Sequence, residues 1–181
     1  MLKLSDNPPM IPPSCEGVAG LSGQWLVAHT KARAEKALAW DLLHRGIGYY
    51  LPMVERVRFS GDRRRRVLLP LFPSYLFVCG NEDDRYTVLT TNRVCQIIKV
   101  TDTASLVSDL TNIEKALTAS AELDPYPSVA IGHRYRIIAG PFAGLEGTVV
   151  RRTTKVRFVL QVNFISLGAA MEVDADLLEE I

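Results

Sequence analysis

The stretch from Pro70 to Val78 constrains the fold more than any other part of this chain. It sets two prolines around an aromatic residue and then runs into a segment of strong β-formers. Because proline cannot donate to a β-ladder, Pro70 and Pro73 predict that the first half stays outside regular strand pairing. From Ser74 onward the side chains alternate between two faces, and both faces carry large apolar groups. Such a strand has to be covered on both sides, by the protein's own helices or by a partner.

The length of 181 residues allows one medium domain or two small ones. No apolar run approaches the ~18 residues that a membrane span requires. The segment from Met1 to Gly20 also lacks the apolar core of a signal peptide. We therefore expect a cytoplasmic protein without membrane contact.

The cysteines and histidines do not form a pattern typical of a disulfide framework, a metal site or a catalytic site. The three cysteines are widely spaced and contain no C-x-x-C pair, which argues against a disulfide framework and a zinc site. Cys79 and Cys95 lie in apolar runs and are predicted to be small core residues. The three histidines are scattered, with neither metal-ligand spacing nor a nucleophile–base pairing. The sequence therefore predicts no metal, no cofactor and no enzymatic activity.

The net charge is only +1, but the charged residues are unevenly placed. Four consecutive arginines contrast with carboxylates that gather at Glu82–Asp84 and from Glu172 to Glu180. A run of like charges is either a solvated surface or a local phosphate-binding site, since the planar fork of arginine suits phosphate oxygens. Any nucleic-acid contact should therefore be local, and its candidate residues are Arg63, Arg64, Arg65 and Arg66.

The first half of the chain predicts strands interrupted by two helices. Trp25–His29 predicts a strand, and Thr30 is positioned to cap a helix that ends at Gly46. Val54–Phe59 and Arg66–Leu69 predict a hairpin with the arginine run at its tip.

After the Pro70–Val78 segment, the residues Glu82–Asp84 predict an acidic turn, and Val94–Val100 predicts a strand. The second helix is marked by apolar residues at helical spacing. These residues are Leu106, Leu110, Ile113 and Leu117.

The pattern changes beyond residue 118. Two prolines and a loss of periodicity predict a linker at 119–130. Short segments with β-character follow, at Arg134–Ile138, Gly147–Arg152, Lys155–Val162 and Ala170–Val173. They predict a small barrel, in which closure removes exposed strand edges. The predicted divisions are a flexible tail at 1–22, an α+β domain at 23–118, the linker, and the barrel at 131–181.

The segment Gly132–Gly147 resembles the KOW motif of small SH3-like barrels in transcription factors and ribosomal proteins. Gly140 and Pro141 predict a sharp turn, and Phe142 lies between glycines on the same loop. An aromatic residue in that position is either folded back into the barrel or offered to a partner, and the sequence leaves both alternatives open.

The first half resembles the N-terminal domain of the NusG family. The resemblance is carried by Trp25–His29, by a helix that contains Glu35-Lys36-Ala37, by Pro70–Val78 and by Thr90–Val94. With the KOW-like segment behind it, the resemblance extends from about Trp25 to the end of the chain. The arginine run before Pro70 is similar to the specialised paralogues, the RfaH-like and capsule-operon antiterminators.

The resemblance implies an N-terminal antiparallel sheet with helices, followed by an SH3-like barrel. It also implies a monomeric, non-enzymatic factor that rides on bacterial RNA polymerase and suppresses pausing. In the family, an apolar depression of the first domain binds the clamp helices of the β′ subunit, and a second contact reaches the gate loop of the β subunit. The matching residues here are Phe72, Pro73 and Tyr75, with His29 at the margin. From the sequence, Phe72 and Pro73 remain open to a role in the core as well.

The resemblance further implies a second partner for the barrel, either termination factor Rho or the ribosomal protein NusE, with Phe142 at that contact. It also implies that the arginine run lies near upstream or non-template DNA. The alternative is a KOW-type RNA- or ribosome-binding protein without polymerase contact. That alternative requires a strongly basic barrel, whereas the basic and acidic residues of this barrel nearly cancel.

Overall fold

The computed structural model describes residues 4–60, 63–126, 132–151 and 155–181. The chain divides into two compact units, Met1–Thr103 and Ala104–Ile181. The predicted α+β class is confirmed, and each strand pairing among the described residues is antiparallel.

The first unit contains one sheet of four strands and a separate hairpin. The sheet has the order β2-β5-β1-β6, and the hairpin consists of β3 and β4. In chain order the elements are β1 (Gln24–Thr30), α1 (Glu35–His44), β2 (Gly48–Tyr50), β3 (Met53–Ser60), β4 (Arg63–Pro70), β5 (Tyr75–Gly80), α2 (Glu82–Thr90) and β6 (Val94–Lys99).

Strand β5 lies inside the sheet, between β2 and β1. Leu76, Phe77 and Val78 are fully buried, so the prediction that both faces of this strand are covered is confirmed. One face of the sheet belongs to a core shared with both helices of the unit. Its buried members are Leu26, Ala28, Leu38, Ala39, Leu42, Ile47, Tyr49, Leu51, Met53, Leu76, Val78 and Val88.

The residues before β5 differ from the prediction in two places. Pro70 is the last residue of β4 and lies opposite Met53, so the prediction that it stays outside regular pairing was wrong. A proline is tolerated at such an edge position, where its missing N–H leaves no ladder bond unmade. Ser74 is not a strand residue, because its φ of 67° is left-handed, and β5 begins at Tyr75.

Helix α1 ends as predicted but begins later. Thr30 is the last residue of β1 and does not cap the helix, whose N-cap position is held by Ala34 without a side-chain hydrogen bond. The chain instead makes a turn between Thr30 and the helix. Gly46 has a φ of 69°, which confirms its predicted role as a left-handed terminator.

Helix α2 stands where the sequence predicted an acidic turn, and that prediction was wrong. The Asn81 side chain accepts a hydrogen bond from the Asp84 N–H at 2.9 Å, and the Asp84 carboxylate accepts one from the Asn81 N–H at 2.8 Å. This capping box satisfies two of the N–H groups that a helix start leaves unpaired. Glu82 and Asp83 follow in the first turn, where the helix dipole favours negative charge.

Two cysteines that the sequence predicted as core residues differ in burial. Cys79 on β5 is 3% exposed, which confirms it as a core residue. Cys95 on β6 is exposed, so its predicted core role was wrong. The reason is the sheet order, since β6 lies at an edge and β5 does not.

Residues 4–22, predicted as a flexible tail, make hydrogen bonds to the rest of the first unit. The Tyr49 hydroxyl donates a hydrogen bond to the Pro9 carbonyl at 3.0 Å, and Lys36 Nζ donates to Asn7 Oδ1 at 2.6 Å. These bonds tie the segment to α1 and β2.

The second unit consists of a helix and a six-stranded sheet. The helix α3 (Thr103–Thr118) confirms the predicted second helix, and from Ala104 onward it belongs to this unit. The sheet order is β12-β8-β9-β10-β11-β7. Its strands are β7 (Asp124–Tyr126), β8 (Arg134–Ile137), β9 (Glu146–Arg151), β10 (Lys155–Val162), β11 (Leu167–Asp174) and β12 (Leu178–Glu180).

The six-stranded sheet is in keeping with the predicted small barrel. The four predicted strands correspond to β8, β9, β10 and β11, whereas β7 and β12 were not predicted. Strand β7 lies within the predicted linker at 119–130 and pairs with β11. The remaining linker residues 127–130, and residue 131 at the predicted start of the barrel, lie outside the described residues. The domain limits stay predictions.

Candidate functional site

The aromatic surface predicted around residues 72–75 forms where β1 and β5 meet. His29 on β1 lies directly opposite Tyr75 on β5. Their rings stack with centroids 5.1 Å apart and planes inclined by 29°. Both side chains are partly exposed, and Pro73 in the preceding turn is exposed. We call His29, Pro73 and Tyr75 together the aromatic surface.

A buried carboxylate on α1 fixes the turn that presents this surface. Glu35 is 6% exposed, and its Oε1 accepts a hydrogen bond from the Ser74 N–H at 2.6 Å. The Ser74 carbonyl in turn accepts from the Thr30 N–H at 2.8 Å. Hydrogen bonds to an ionised acceptor are stronger than neutral ones, so this contact holds Ser74 in its left-handed conformation. Sequence reasoning missed Glu35, since an acidic residue near a helix start reads as a response to the helix dipole.

Phe72 does not share the exposure of its neighbours. It is 1% exposed and packs edge-on against Phe77, with centroids 6.1 Å apart and planes at 89°. This is one of the preferred geometries of an aromatic pair. The structure therefore brings Pro73, Tyr75 and His29 to the surface and places Phe72 beneath them as a core residue.

Hydrogen bonds join the residue that follows β1 to the turn that precedes β6. The Lys31 N–H donates to the Arg93 carbonyl at 2.8 Å, and Lys31 Nζ donates to Asn92 Oδ1 at 2.8 Å. The Arg93 guanidinium bonds Asp41 on α1. These bonds fix the turn before β6 next to the end of β1, where His29 lies.

The arginine run lies within strand β4, next to the hairpin turn. The prediction that the arginines form the tip is corrected, because residues 63–66 pair with residues 57–60 of β3. The turn residues 61 and 62 and the Arg63 side chain lie outside the described part of the structure.

Strand alternation distributes the remaining arginines over two faces. Arg64 and Arg66 lie opposite Phe59 and Val57, whereas Arg65 lies opposite Arg58. Phe59 is 74% exposed. The candidate nucleic-acid site is therefore two faces of different chemistry, which the sequence run alone did not show.

Phe142 lies on a tight loop between β8 and β9. Gly140 and Gly144 have φ values of 84° and 86°, and the Gly144 N–H donates to the Ile137 carbonyl at 2.7 Å. Phe142 itself is partly buried and lines a cleft of about 450 Å³ in the second unit. The side chain thus combines features of the two alternatives, since part of it is covered and part faces the cleft.

Two arginines of the barrel share one carboxylate. Arg134 and Arg136 both bond the Glu146 carboxylate, at 3.0 and 2.6 Å. The hydrogen bond from Arg136 holds the pKa of Glu146 below its ordinary value, and the same bond raises the pKa of Arg136. The side chains of residues 151, 155 and 156, and all of 152–154, lie outside the described residues. Two described arginines are thus partly neutralised, which weakens the case for an RNA-binding barrel.

Within the described ranges, no group of three or more His, Cys, Asp or Glu side chains is placed to hold a metal ion. No helix in those ranges has both the length and the apolarity to cross a bilayer.

The family model described as "Transcription termination factor nusG" matches residues 23–115, which is more than half of the chain. The chain belongs to the NusG family. This is a family of transcription factors that are not enzymes, and the match spans both the aromatic surface and the hairpin.

Among solved structures, a chain of the crystal structure titled "MjSpt4:Spt5 complex conformation B" shows 16% sequence identity. The alignment covers 87% of this chain and 96% of that chain with a TM-score of 0.27. No match was found among the curated proteins.

Proposed function

We propose that this NusG-family protein is a bacterial elongation and antitermination factor that binds RNA polymerase through its aromatic surface. The proposed partner of this surface is the pair of β′ clamp helices, and a second contact is made at the β gate loop. Binding suppresses pausing. The observation that carries the proposal is the partly exposed His29–Tyr75 stack, because aromatic side chains that lie half-covered and rigidly held make good interface anchors.

The held turn gives this surface the rigidity that an anchor needs. Ser74 is fixed by Glu35 from one side and by Thr30 from the other, so Tyr75 has little freedom left to lose on binding. Ordering side chains at an interface costs about 0.5–1.5 kcal/mol for each side chain that is free beforehand. Phe72 contributes indirectly, as the buried support of the turn.

The proposal includes two further sites, the arginines of the hairpin and Phe142 of the second unit. Arg64, Arg65 and Arg66, with Arg63, contact upstream or non-template DNA phosphates. Phe142 at the barrel cleft takes part in recruiting a second partner, Rho or NusE. The RfaH-like or capsule-operon paralogue type is proposed for the same chain on the strength of its arginine run.

The test is binding of the purified protein to bacterial core RNA polymerase and to a paused elongation complex. We expect Tyr75→Ala and His29→Ala each to weaken binding, by about 30-fold where the residue is a dominant anchor worth ~2 kcal/mol. For core polymerase, Phe59→Ala is the matched control, since Phe59 is a 74% exposed aromatic residue of the same unit that lies outside the aromatic surface. Phe72→Ala is unsuitable here, because it would empty part of the core.

Absence of wild-type binding to either polymerase form would overturn the proposed function. Binding that all the substitutions leave intact would keep the function and reject the aromatic surface as its site. A pausing assay with the same variants then decides whether binding and pause suppression are lost together.

A further inference from the structure

The two faces of the β3–β4 hairpin differ in what they can bind. We define the hairpin aromatic face by Val57, Phe59, Arg64 and Arg66. The hairpin arginine face, on the other side of the same two strands, is defined by Arg56, Arg58 and Arg65.

The aromatic face presents an exposed ring beside two arginines. Phe59 is 74% exposed and Val57 is 39% exposed, while Arg64 lies directly opposite Phe59 and Arg66 directly opposite Val57. Side chains directly opposite each other on a sheet are about 5 Å apart at Cβ and diagonal neighbours about 7–8 Å, so Arg64 is the nearer arginine to the ring and Arg66 the diagonal one. Arg66 is also within 3.2 Å of Glu55, which restrains its guanidinium on this face.

The chemistry of an exposed ring distinguishes single-stranded from duplex DNA. Within a duplex the base faces are stacked on each other, so phosphates are the main groups that a hairpin can touch without deforming the DNA. In a single strand each base offers a free π-face, and proteins that bind single strands combine cationic side chains with aromatic platforms. Arginine alone would serve either form, whereas Phe59 gains a partner only when a base is unpaired.

We infer that the hairpin aromatic face binds single-stranded DNA, with one base stacked on Phe59 and the flanking phosphates held by Arg64 and Arg66. This inference rests on the proposed function, which brings the hairpin close to DNA, and it adds the strand state and the residue that senses it. The arginine face then contributes phosphate contacts that do not depend on strand state.

The occupant is DNA and not RNA. Discrimination in favour of RNA requires groups that hydrogen-bond the 2′-hydroxyl. The carboxylate acceptor on this side of the hairpin is Glu55, which is engaged by Arg66. RNA therefore gains no advantage over DNA from the side chains described for this face.

The experiment measures binding of the full chain to three labelled probes by fluorescence anisotropy at low salt. The probes are a short oligothymidylate, a duplex of the same length, and the matching oligouridylate. We expect Phe59→Ala to weaken oligothymidylate binding about 5- to 150-fold, the range for loss of one stacked base, and to leave duplex binding unchanged. Phe59→Trp should retain single-strand binding, and Val57→Ala is the matched apolar control on the same face.

The arginines have a different expected signature. Arg64→Ala should weaken binding to both the single strand and the duplex, and should lower the salt dependence on the single strand by about 0.7 in log–log slope. Arg65→Ala, on the other face, should weaken both probes without altering the preference between them. Circular dichroism confirms that each variant is folded, as expected for exposed positions.

Three outcomes would overturn the inference: no wild-type binding to oligothymidylate, an equal loss on both DNA probes with Phe59→Ala, or clearly tighter binding of oligouridylate. Polymerase binding of the same variants separates this inference from the proposed function. Phe59→Ala should bind core polymerase like the wild type, and Tyr75→Ala should bind oligothymidylate like the wild type. A failure confined to the polymerase assay thus counts against the proposed function, and a failure confined to the oligonucleotides counts against the hairpin face.

Discussion

The turn before β5 and the β3–β4 hairpin each carry a phenylalanine in a candidate binding region, yet the two side chains differ in burial and in role. Phe72 is 1% exposed and packed edge-on against Phe77, whereas Phe59 is 74% exposed on a two-stranded ribbon. The turn is fixed by Glu35 from α1, while the hairpin forms a two-stranded sheet of its own.

The difference shows that an aromatic residue near a candidate site can act as a support or as a contact. Phe72 supports the structure, because its ring is buried and packs against Phe77 on β5. Phe59 can act as a contact, because its face is open to solvent and to a ligand. We therefore expect substitution of Phe72 to lower mainly the stability of the protein, and substitution of Phe59 to lower mainly its binding.

The largest expected effect is on stability, from Phe72→Ala. Removing a buried phenylalanine costs about 3–5 kcal/mol through lost transfer energy and the cavity left behind. Phe59→Ala should change the free energy of unfolding by no more than about 0.5 kcal/mol, as is usual for exposed positions. Urea denaturation followed by circular dichroism measures both. Similar losses for the two variants would remove the distinction between support and contact.

Glu35→Ala is expected to have the next largest effect. It removes a charge-assisted hydrogen bond to the Ser74 N–H, worth about 1.5–3 kcal/mol, and leaves that N–H without its acceptor. Polymerase binding should fall with it, since the turn that presents Tyr75 is released. Glu35→Gln keeps an acceptor oxygen and should retain most of the stability. Glu16→Ala, at an exposed carboxylate, is the control that should behave as the wild type.

These two regions also show how far sequence could lead. Alternation predicted that both faces of β5 are covered, and helical spacing predicted α3, because those periods are set by burial alone. Phe72 was beyond such reasoning, since a phenylalanine between prolines has the same pattern whether it turns inward or outward. Helix α2 was missed because the acidic residues after Asn81 suit a turn as well as a capped helix start.

The predicted placement of the hairpin arginines was wrong for a more specific reason. Which face an arginine occupies depends on the register, and a shift of one residue moves every side chain to the other face. The sequence predicted a hairpin whose second strand began at Arg66, whereas β4 begins at Arg63. The split between Arg64 with Arg66 and Arg65 with Arg58 therefore became visible only with the pairing.

An alkaline titration tests the contact between residues 4–22 and the sheet at Tyr49. Burial raises the pKa of Tyr49 to about 12, and its hydroxyl donates to the Pro9 carbonyl. The unfolded chain loses this proton near pH 10, so the folded state retains it longer and stability falls as the pH rises from about 10 to 12. Tyr49→Phe should be less stable than the wild type at neutral pH, and the difference should shrink over that interval. A constant difference would show that the hydroxyl is not protected. Burial also raises the pKa of Cys79 to about 11, a contribution that both proteins share and that cancels.

The smallest expected effect comes from the ion pair on the hairpin itself. Arg66 Nε lies 3.2 Å from Glu55 Oε1, and both side chains are substantially exposed, at 65% and 44%. An exposed pair of this kind contributes about 0–1 kcal/mol and is screened by salt. Glu55→Gln should therefore leave the free energy of unfolding nearly unchanged, while it releases the Arg66 guanidinium and removes a negative charge beside the aromatic face. We expect tighter binding of oligothymidylate at low salt and a difference from the wild type that fades at high salt. Unchanged affinity at low salt would mean that Arg66 takes no part in binding, and the contact role of the hairpin would then rest on Phe59 and Arg64.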